Sequence, residues 1–269
     1  MERGGARNWI MSKDWLRLKN ERWIDLAGTK ICGRMKMDIS EINKRFKKIT
    51  FKEFGFNFLI LILLIWGPAF LVYRFWGGDP AQILTTHLLN MALIFCFFYF
   101  WFFEKYNLHW NDLGFSSGKF PVWVDVLIGI FAAVLFLGVI NLTFPVIYFH
   151  DFGAYSHDFK KMSFGIDKLI ALKLLILPRI FLAPLFEETV FRGILYQYLR
   201  SRLGRTAVAL VLQAVIFVLL HFSFYPLTFD IFLALFLKGL FLGMVFQFTE
   251  SLPASISCHA MFNFFATIM

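Results

Sequence analysis

The sequence contains little cysteine and nothing that divides it into repeats. Its 269 residues include three cysteines, Cys32, Cys96 and Cys258, which are odd in number and widely spaced. This pattern suggests neither a disulfide framework nor a thiolate metal site. The cysteines are therefore best interpreted as small buried apolar residues. The chain also contains no internal repeat and no low-complexity linker.

Two further patterns are missing from the apolar segments. Apolar and polar residues do not alternate within them, and the continuous apolar runs disfavour a closed β-barrel. No apolar run lies close to the start, because the first begins near Phe54 behind a long charged leader. That position does not fit a cleavable signal peptide. We therefore interpret the run as the first transmembrane helix.

Hydrophobic residues are abundant. They make up 59% of the chain, and the mean hydropathy is +0.65. An average soluble domain has about 45–50% apolar residues, so the excess must be in contact with lipid. The sequence predicts an all-α, polytopic membrane helix bundle with about seven transmembrane helices. The predicted spans are 54–73, 82–103, 122–149, 168–199, 206–222, 231–248 and 253–269.

Positive charge is concentrated at the N-terminal end. The net charge is +9, and residues 1–53 hold 14 Lys and Arg against 7 Asp and Glu. In a membrane protein this favours contact with anionic headgroups of the bilayer over nucleic acid. We predict an integral, multi-pass membrane protein with a basic cytoplasmic segment at 1–53. A transmembrane helical domain at 54–269 follows it.

The fourth span contains charged residues inside an apolar helix. Glu187 and Glu188 are adjacent, and Arg192 lies four residues after Glu188, which allows the two to pair across one turn. Glu187 then points about 100° away from Glu188. Each unpaired charge costs at least about 2.5–3.5 kcal/mol in a membrane, so such groups usually mark function. A purely structural ion pair would explain Glu188 and Arg192 but not Glu187.

Two later spans contain polar pairs at the same one-turn spacing. They are Phe217 with His221, and His259 with Asn263. A carboxylate sheltered from water suits a general base, and an imidazole can orient a water molecule or bind a metal. A second histidine beside an asparagine supplies donors for an oxyanion. Together these groups are the parts needed for peptide hydrolysis.

The depth of these side chains can be compared along ideal helices. Glu187 lies about 20 Å and His221 about 24 Å from the basic residues at 200–205, at 1.5 Å per residue. These two side chains are therefore expected at a common level. His259 lies only about 9 Å beyond the preceding turn, so it reaches that level only if the turn at 249–253 is itself buried.

The three motifs, in this order on successive membrane helices, resemble those of the CPBP intramembrane proteases. That family includes the type II CAAX prenyl endopeptidases and bacteriocin-processing or self-immunity proteins. The resemblance covers about residues 110–266 and includes the turn at 112–115. It implies an intramembrane endopeptidase that hydrolyses a peptide bond of a membrane-associated peptide or lipidated protein, with prenylated CAAX proteins as candidate substrates.

The resemblance also implies a role for each site residue. Glu187 is expected to be the catalytic base and His221 its partner in activating water. His259 and Asn263 are expected to stabilise the oxyanion, while the Glu188–Arg192 pair holds the first motif in place. These roles are expectations that the structure has to accommodate.

The metal dependence of the site is left open by the sequence. Zinc is a candidate cofactor, and its ligands would be Glu187, His221 and His259. However, the usual helical zinc signature, His-Glu-x-x-His, is absent. We therefore favour, by a small margin, a water molecule activated without a metal.

Two other functions compete with proteolysis. Glu, His and Arg side chains around a cavity also form the proton or ion pathways of transporters, and Pro178 and Pro184 can interrupt a helix as transporters do. Such a pathway needs no His-x-x-x-Asn pair, whereas amide hydrolysis needs an oxyanion site. The other alternative is a catalytically silent immunity or binding member of the family, which the complete set of motif residues argues against.

Overall fold

The computed structural model describes residues 39–76, 80–97, 102–115, 119–143, 178–221 and 228–268. Every regular element in these ranges is helical, which confirms the all-α prediction. The first 38 residues of the predicted leader lie outside the described residues. The same holds for parts of the predicted spans, at 144–149 and 168–177 among others.

Eight longer helices account for most of the described residues. They are α1 (Ile39–Lys48), α2 (Phe51–Trp76), α3 (Pro80–Phe97), α4 (Val122–Thr143), α5 (178–203), α6 (Thr206–His221), α7 (Phe229–Thr249) and α8 (Leu252–Ile268). Each predicted span overlaps one of α2 to α8. Two segments, Val122–Ile140 and Phe229–Thr249, are long and apolar enough to cross a membrane, while α6 is apolar but shorter. The count of seven spans stays a prediction.

Many apolar side chains of α2 and α4 face outward. Exposed positions include Phe56, Leu59 and Leu63 on α2, and Leu127, Phe131, Leu135 and Val139 on α4. In contrast, charged and amide side chains such as Arg192, Glu188 and Gln213 are fully buried. Apolar residues outside and polar residues inside are what a lipid environment requires, so this is the arrangement of an integral membrane protein.

Helix α5 is not a regular α-helix, although its sequence was expected to form one. It is π-helical over Pro178–Leu182 and again over Thr189–Tyr196, with α-helical turns at Ala183–Glu188 and Gln197–Leu203. Pro184 has no N–H to donate, which disturbs the regular hydrogen bonding before it. Short π-helical segments occur frequently at functional sites. The two adjacent glutamates lie between the two π-helical segments.

Four chain segments meet at one end of the bundle. Arg45 on α1 donates to the Asn107 carbonyl and to Asp112, each at 2.8 Å. From the end of α5, Gln197 donates to the Asp112 carbonyl at 2.9 Å. Leu252 N–H donates to the Gly114 carbonyl at 2.8 Å, which connects the turn before α8 to the same place. The predicted turn at 112–115 is thus the centre of this end.

The turn before α8 is buried inside the protein. Thr249, Ser251 and Leu252 are all fully buried, and Thr249 Oγ1 donates to the Val245 carbonyl at 2.8 Å. Glu250 has a left-handed backbone with φ of 57°, which ends α7 and reverses the chain within two residues. A buried turn moves the start of α8 into the bundle. It satisfies the condition under which His259 reaches the level of Glu187.

Residues Lys36–Met269 form one compact unit. The described end of the basic segment belongs to it, because α1 buries Ile42 and Phe46 in the core. Arg202 on α5 donates to the Ile49 carbonyl just after α1. The domain division between residues 53 and 54 stays a prediction.

Candidate active site

The residues singled out in the sequence lie on three helices that pack together. Glu187, Glu188 and Arg192 are on α5, His221 is the last residue of α6, and His259 and Asn263 are one turn apart on α8. Their side chains form two groups that share one histidine. The first group contains Glu188 and Arg192, and the second contains Glu187 and His221.

The first group is a fully buried set of hydrogen bonds that we call the anchor network. Glu188 Oε1 accepts from Arg192 Nη1 and from His259 Nδ1, each at 2.7 Å. Arg192 Nη2 donates to the Gly239 carbonyl at 2.8 Å, and Gln213 Nε2 donates to the same oxygen at 2.9 Å. The anchor network therefore joins α5, α6, α7 and α8 at a single level. It provides partners for both terminal nitrogens of the buried guanidinium and for one oxygen of the buried carboxylate.

Aromatic rings complete the surroundings of the Arg192 guanidinium. Its Cζ lies 5.2 Å from the centroid of the Phe217 ring and 5.9 Å from that of Phe191. Both phenylalanines are fully buried, and their rings meet edge to face at 4.9 Å. These rings attract a cation through their faces and exclude water from it. Phe217, paired with His221 in the sequence motif, thus contacts the first motif as well.

The second group, which we call the acceptor cluster, consists of Glu187, His221 and His259. Glu187 Oε2 lies 3.6 Å from His221 Nε2 and 3.8 Å from His259 Nε2. Both distances are longer than a direct hydrogen bond. The structure thus brings the predicted base and both predicted histidines around one point.

Hydrogen bonds on the far side of each ring fix the protonation of the two histidines. His221 Nδ1 lies 2.7 Å from the Phe217 carbonyl, which can only accept, so Nδ1 carries the proton. His259 Nδ1 donates to the Glu188 carboxylate, which also accepts from Arg192. When either imidazole is neutral, its Nε2 is therefore an acceptor. Three acceptor atoms then face one another in the acceptor cluster.

Asn263 contacts a lysine of α7. Lys238 Nζ on α7 donates to Asn263 Oδ1 at 3.1 Å and lies 5.8 Å from the centroid of the Phe262 ring. The positive charge of Lys238 is close enough to Glu187 and His259 to act on both electrostatically. Lys238 is the functional candidate that the motif analysis missed. Its signal was a lysine inside an apolar span, where a lysine is as costly as a glutamate.

The acceptor cluster has the donor types that zinc uses, namely two imidazole nitrogens and a carboxylate oxygen. Within the described ranges, no group of three or more His, Cys, Asp or Glu side chains is arranged to hold a metal ion. The zinc ligand set Glu187, His221 and His259 stays a prediction.

Comparison with known proteins adds one finding. Residues 170–265 match the family model described as type II CAAX prenyl endopeptidase Rce1-like. The match covers less than half of the chain, and the part of the expected resemblance at 110–169 lies outside it. No curated protein and no solved structure shows a significant match.

The matched segment contains the whole of both polar groups. Glu187, Glu188, Arg192, His221, His259 and Asn263 all fall within residues 170–265, and so does Lys238. The family and the apolar helices together support an intramembrane protease of the CAAX type in general. Residues 170–265 are therefore similar to the Rce1-like type II CAAX prenyl endopeptidases.

Proposed function

We propose that this protein is an intramembrane endopeptidase that hydrolyses a peptide bond of a prenylated, membrane-associated CAAX-type substrate. The observation that carries the proposal is the acceptor cluster, in which Glu187 Oε2 faces two imidazole nitrogens at 3.6 and 3.8 Å. Three acceptors around one point suit a molecule that donates to more than one of them, as water does. A carboxylate beside such a water is placed to act as a general base.

The reaction uses Glu187 twice. The water oxygen attacks the carbonyl carbon of the scissile bond while Glu187 accepts the proton that the water loses. The electron pair of the carbonyl double bond moves to its oxygen and forms an oxyanion. When the oxyanion collapses, the C–N bond breaks, and Glu187 returns its proton to the leaving amine. The products are a carboxylic acid and an amine, and no further reactant is needed.

His221 orients the water in this scheme. Its Nδ1 proton is held by the Phe217 carbonyl at 2.7 Å, so Nε2 can accept a hydrogen bond from the water. The oxyanion forms toward α8, where Asn263 can donate through its amide. His259 can also donate from Nε2 when its imidazole is protonated. Glu188 and Arg192 hold these groups in place through the anchor network.

Access to the two glutamates differs in the way that this scheme requires. The side chains of Glu187 and His221 keep 16% and 13% of their exposure, whereas Glu188 and Arg192 have none. A substrate can therefore reach the acceptor cluster without opening the anchor network. The lipid-facing surfaces of α2 and α4 keep the protein in the same membrane as a lipidated substrate.

A cleavage assay tests the proposal directly. The protein is reconstituted in liposomes and given a panel of farnesylated peptides with different C-terminal sequences, alongside the same peptides without lipid. We expect cleavage of a lipidated peptide at one defined bond and loss of that cleavage in Glu187→Ala. Equal cleavage by both proteins would contradict the role of Glu187. No cleavage, together with a proton flux across the liposomes that depends on Glu187, would replace the protease with a transporter.

We also propose that residues 1–53 face the cytoplasm, as their positive charge predicts. The contact of α1 with the end of α5 supports this, since it places the basic residues at 39–48 and 200–205 at the same end of the bundle. A cysteine introduced at position 20 and labelled with an impermeant maleimide tests the orientation. Labelling is expected only after the cells are opened, and labelling of intact cells would contradict it.

A further inference from the structure

Lys238 is a charged residue inside an apolar membrane helix, and the reaction described above does not use it. It lies in the interior of α7, which is long and apolar enough to span a membrane. A lysine at such a position is expensive in lipid, so it usually faces the protein interior and marks function. Lys238 follows this rule, because its Nζ donates to Asn263 Oδ1 at 3.1 Å.

This hydrogen bond determines which way the Asn263 amide points. An amide has an acceptor oxygen at one end and a donor nitrogen at the other, while an ammonium group can only donate. Lys238 therefore binds the oxygen and leaves the Nδ2 hydrogens of Asn263 as the donor end. The opposite orientation would place two donors against each other. Lys238 thus converts an amide with two possible orientations into a donor of fixed direction.

The state of His259 makes this donor necessary. His259 Nδ1 donates to Glu188 at 2.7 Å, so a neutral His259 has only an acceptor at Nε2. A neutral His259 cannot donate to an oxyanion. Asn263, one helical turn further along α8, can donate regardless of how His259 is protonated. The donor function of this helix therefore depends on Asn263 and on the group that orients it.

The charge of Lys238 acts in the same direction. It is close enough to Glu187, Glu188 and His259 to influence all three electrostatically. A charged donor also strengthens the hydrogen bonds of the amide to which it is bound.

We propose that Lys238 is a positioning residue of the hydrolytic site, which fixes the Asn263 amide as the oxyanion donor and strengthens the hydrogen bond of that amide to the oxyanion. This inference rests on the proposed proteolytic function. It adds a fourth helix, α7, to the three that contain the sequence motifs. It also assigns to a residue outside all three motifs an effect on kcat that acts through Asn263.

A double-mutant cycle tests the coupling between Lys238 and Asn263 in the full-length protein. Asn263→Ala is expected to lower kcat by about 10²–10³-fold, as removal of an oxyanion donor does. Lys238→Met keeps a similar length without the charge and is expected to lower kcat by about 10- to 100-fold, with KM little changed. The double variant should be no slower than Asn263→Ala, because Lys238 acts through the amide. Lys238→Arg, which keeps charge and donor, should recover part of the loss.

Two controls separate this role from a structural one. Lys119→Met removes a lysine whose Nζ donates to the Phe248 carbonyl at 2.8 Å and lies 3.7 Å from Glu250, and it should leave kcat unchanged. Asn263→Asp keeps an acceptor for Lys238 but removes the amide donor. It should therefore keep the melting temperature of the wild type while losing activity.

The possible results test the role of Lys238 and the proteolytic function separately. A wild-type protein that cleaves no peptide overturns both. Equal kcat for wild type and Lys238→Met overturns only the role of Lys238. The role also fails if the losses of Lys238→Met and Asn263→Ala multiply in the double variant, because Lys238 would then act independently of the amide.

Discussion

The anchor network and the acceptor cluster are built on adjacent glutamates of one helix and share His259, yet they are organised in opposite ways. In the anchor network, Glu188 Oε1 accepts two hydrogen bonds of 2.7 Å, one from Arg192 and one from His259. In the acceptor cluster, Glu187 Oε2 faces two acceptor nitrogens at 3.6 and 3.8 Å. One step along α5 therefore separates a carboxylate that holds four helices together from one suited to take up a proton.

The largest expected effect comes from removing the proton acceptor of the acceptor cluster. Glu187→Gln keeps the size of the side chain but cannot accept a proton, so we expect activity to fall by about 10²–10⁴-fold. The melting temperature in detergent should stay that of the wild type, because Glu187 takes no part in the anchor network. Peptide cleavage and thermal unfolding are measured on the same preparation.

The same substitution one residue further provides the control. Glu188→Gln weakens an acceptor that holds both Arg192 and His259, because hydrogen bonds to a charged oxygen are the stronger ones. It should lower the melting temperature and the activity together. A fully active Glu187→Gln protein would end the assignment of Glu187 as the base and, with it, the contrast between the two groups.

The next largest effect is expected in the anchor network. Arg192→Ala leaves Glu188 as a buried charge without its cation, and breaking a buried pair costs about 3–5 kcal/mol in the free energy of unfolding. Yield and melting temperature should both fall. Gln213→Leu is the matched control, because it removes the other donor to the Gly239 carbonyl without leaving a charge behind. It should cost only about 0.5–1.5 kcal/mol. Equal losses in both variants would show that the ion pair adds nothing beyond a neutral hydrogen bond.

The sequence predicted those features that depend on spacing within one helix. The four-residue separation of Glu188 and Arg192 predicted that they can pair, and the structure shows the pair at 2.7 Å. Continuous apolar runs predicted the helices, and each predicted span overlaps an observed one. Depth along ideal helices placed Glu187 and His221 at one level, and their side chains lie 3.6 Å apart. Local geometry repeats every turn, so counting residues is enough for such features.

Features that depend on how helices pack could not be predicted in this way. The Gly239 carbonyl accepts hydrogen bonds from Arg192 and Gln213. It belongs to the backbone of another helix, so no side-chain pattern identifies it. Lys238 and Asn263 are 25 residues apart in the sequence, and they lie on two different helices, α7 and α8. The π-helical segments of α5 were missed because two prolines do not specify how the helix adapts to them. Each of these features is fixed by tertiary contacts that the motifs do not contain.

A smaller effect is expected from a position outside both groups. Gly129 on α4 lies against α8, and a Cβ there would overlap the Ala254 carbonyl and the Ser257 hydroxyl. Ser257 Oγ also donates to the Val126 carbonyl at 3.1 Å, so the two helices are in close contact. Gly129→Ala must separate them, at a cost of about 1–3 kcal/mol. The anchor network and the acceptor cluster both depend on α8 through His259, so activity should fall as well.

Another glycine on the same helix is the control for this substitution. Gly138 is exposed, and a Cβ added there would meet nothing within 4 Å beyond its own stretch of helix. Gly138→Ala should leave activity unchanged and stabilise α4 by up to about 1 kcal/mol, because alanine favours a helix. If Gly129→Ala is as stable and as active as Gly138→Ala, the contact between α4 and α8 does not position the site.

The smallest effect is expected from metal removal, and it decides what the acceptor cluster holds. A zinc ion bound by Glu187, His221 and His259 would be lost to a strong chelator, and activity would be lost with it. A water molecule held by the same three acceptors would not be affected. We expect the purified protein to keep its activity after treatment with 1,10-phenanthroline and to contain far less than one zinc per chain by elemental analysis. Loss of activity that returns only on adding zinc would instead make the acceptor cluster a metal site, and Glu187 would then be a ligand.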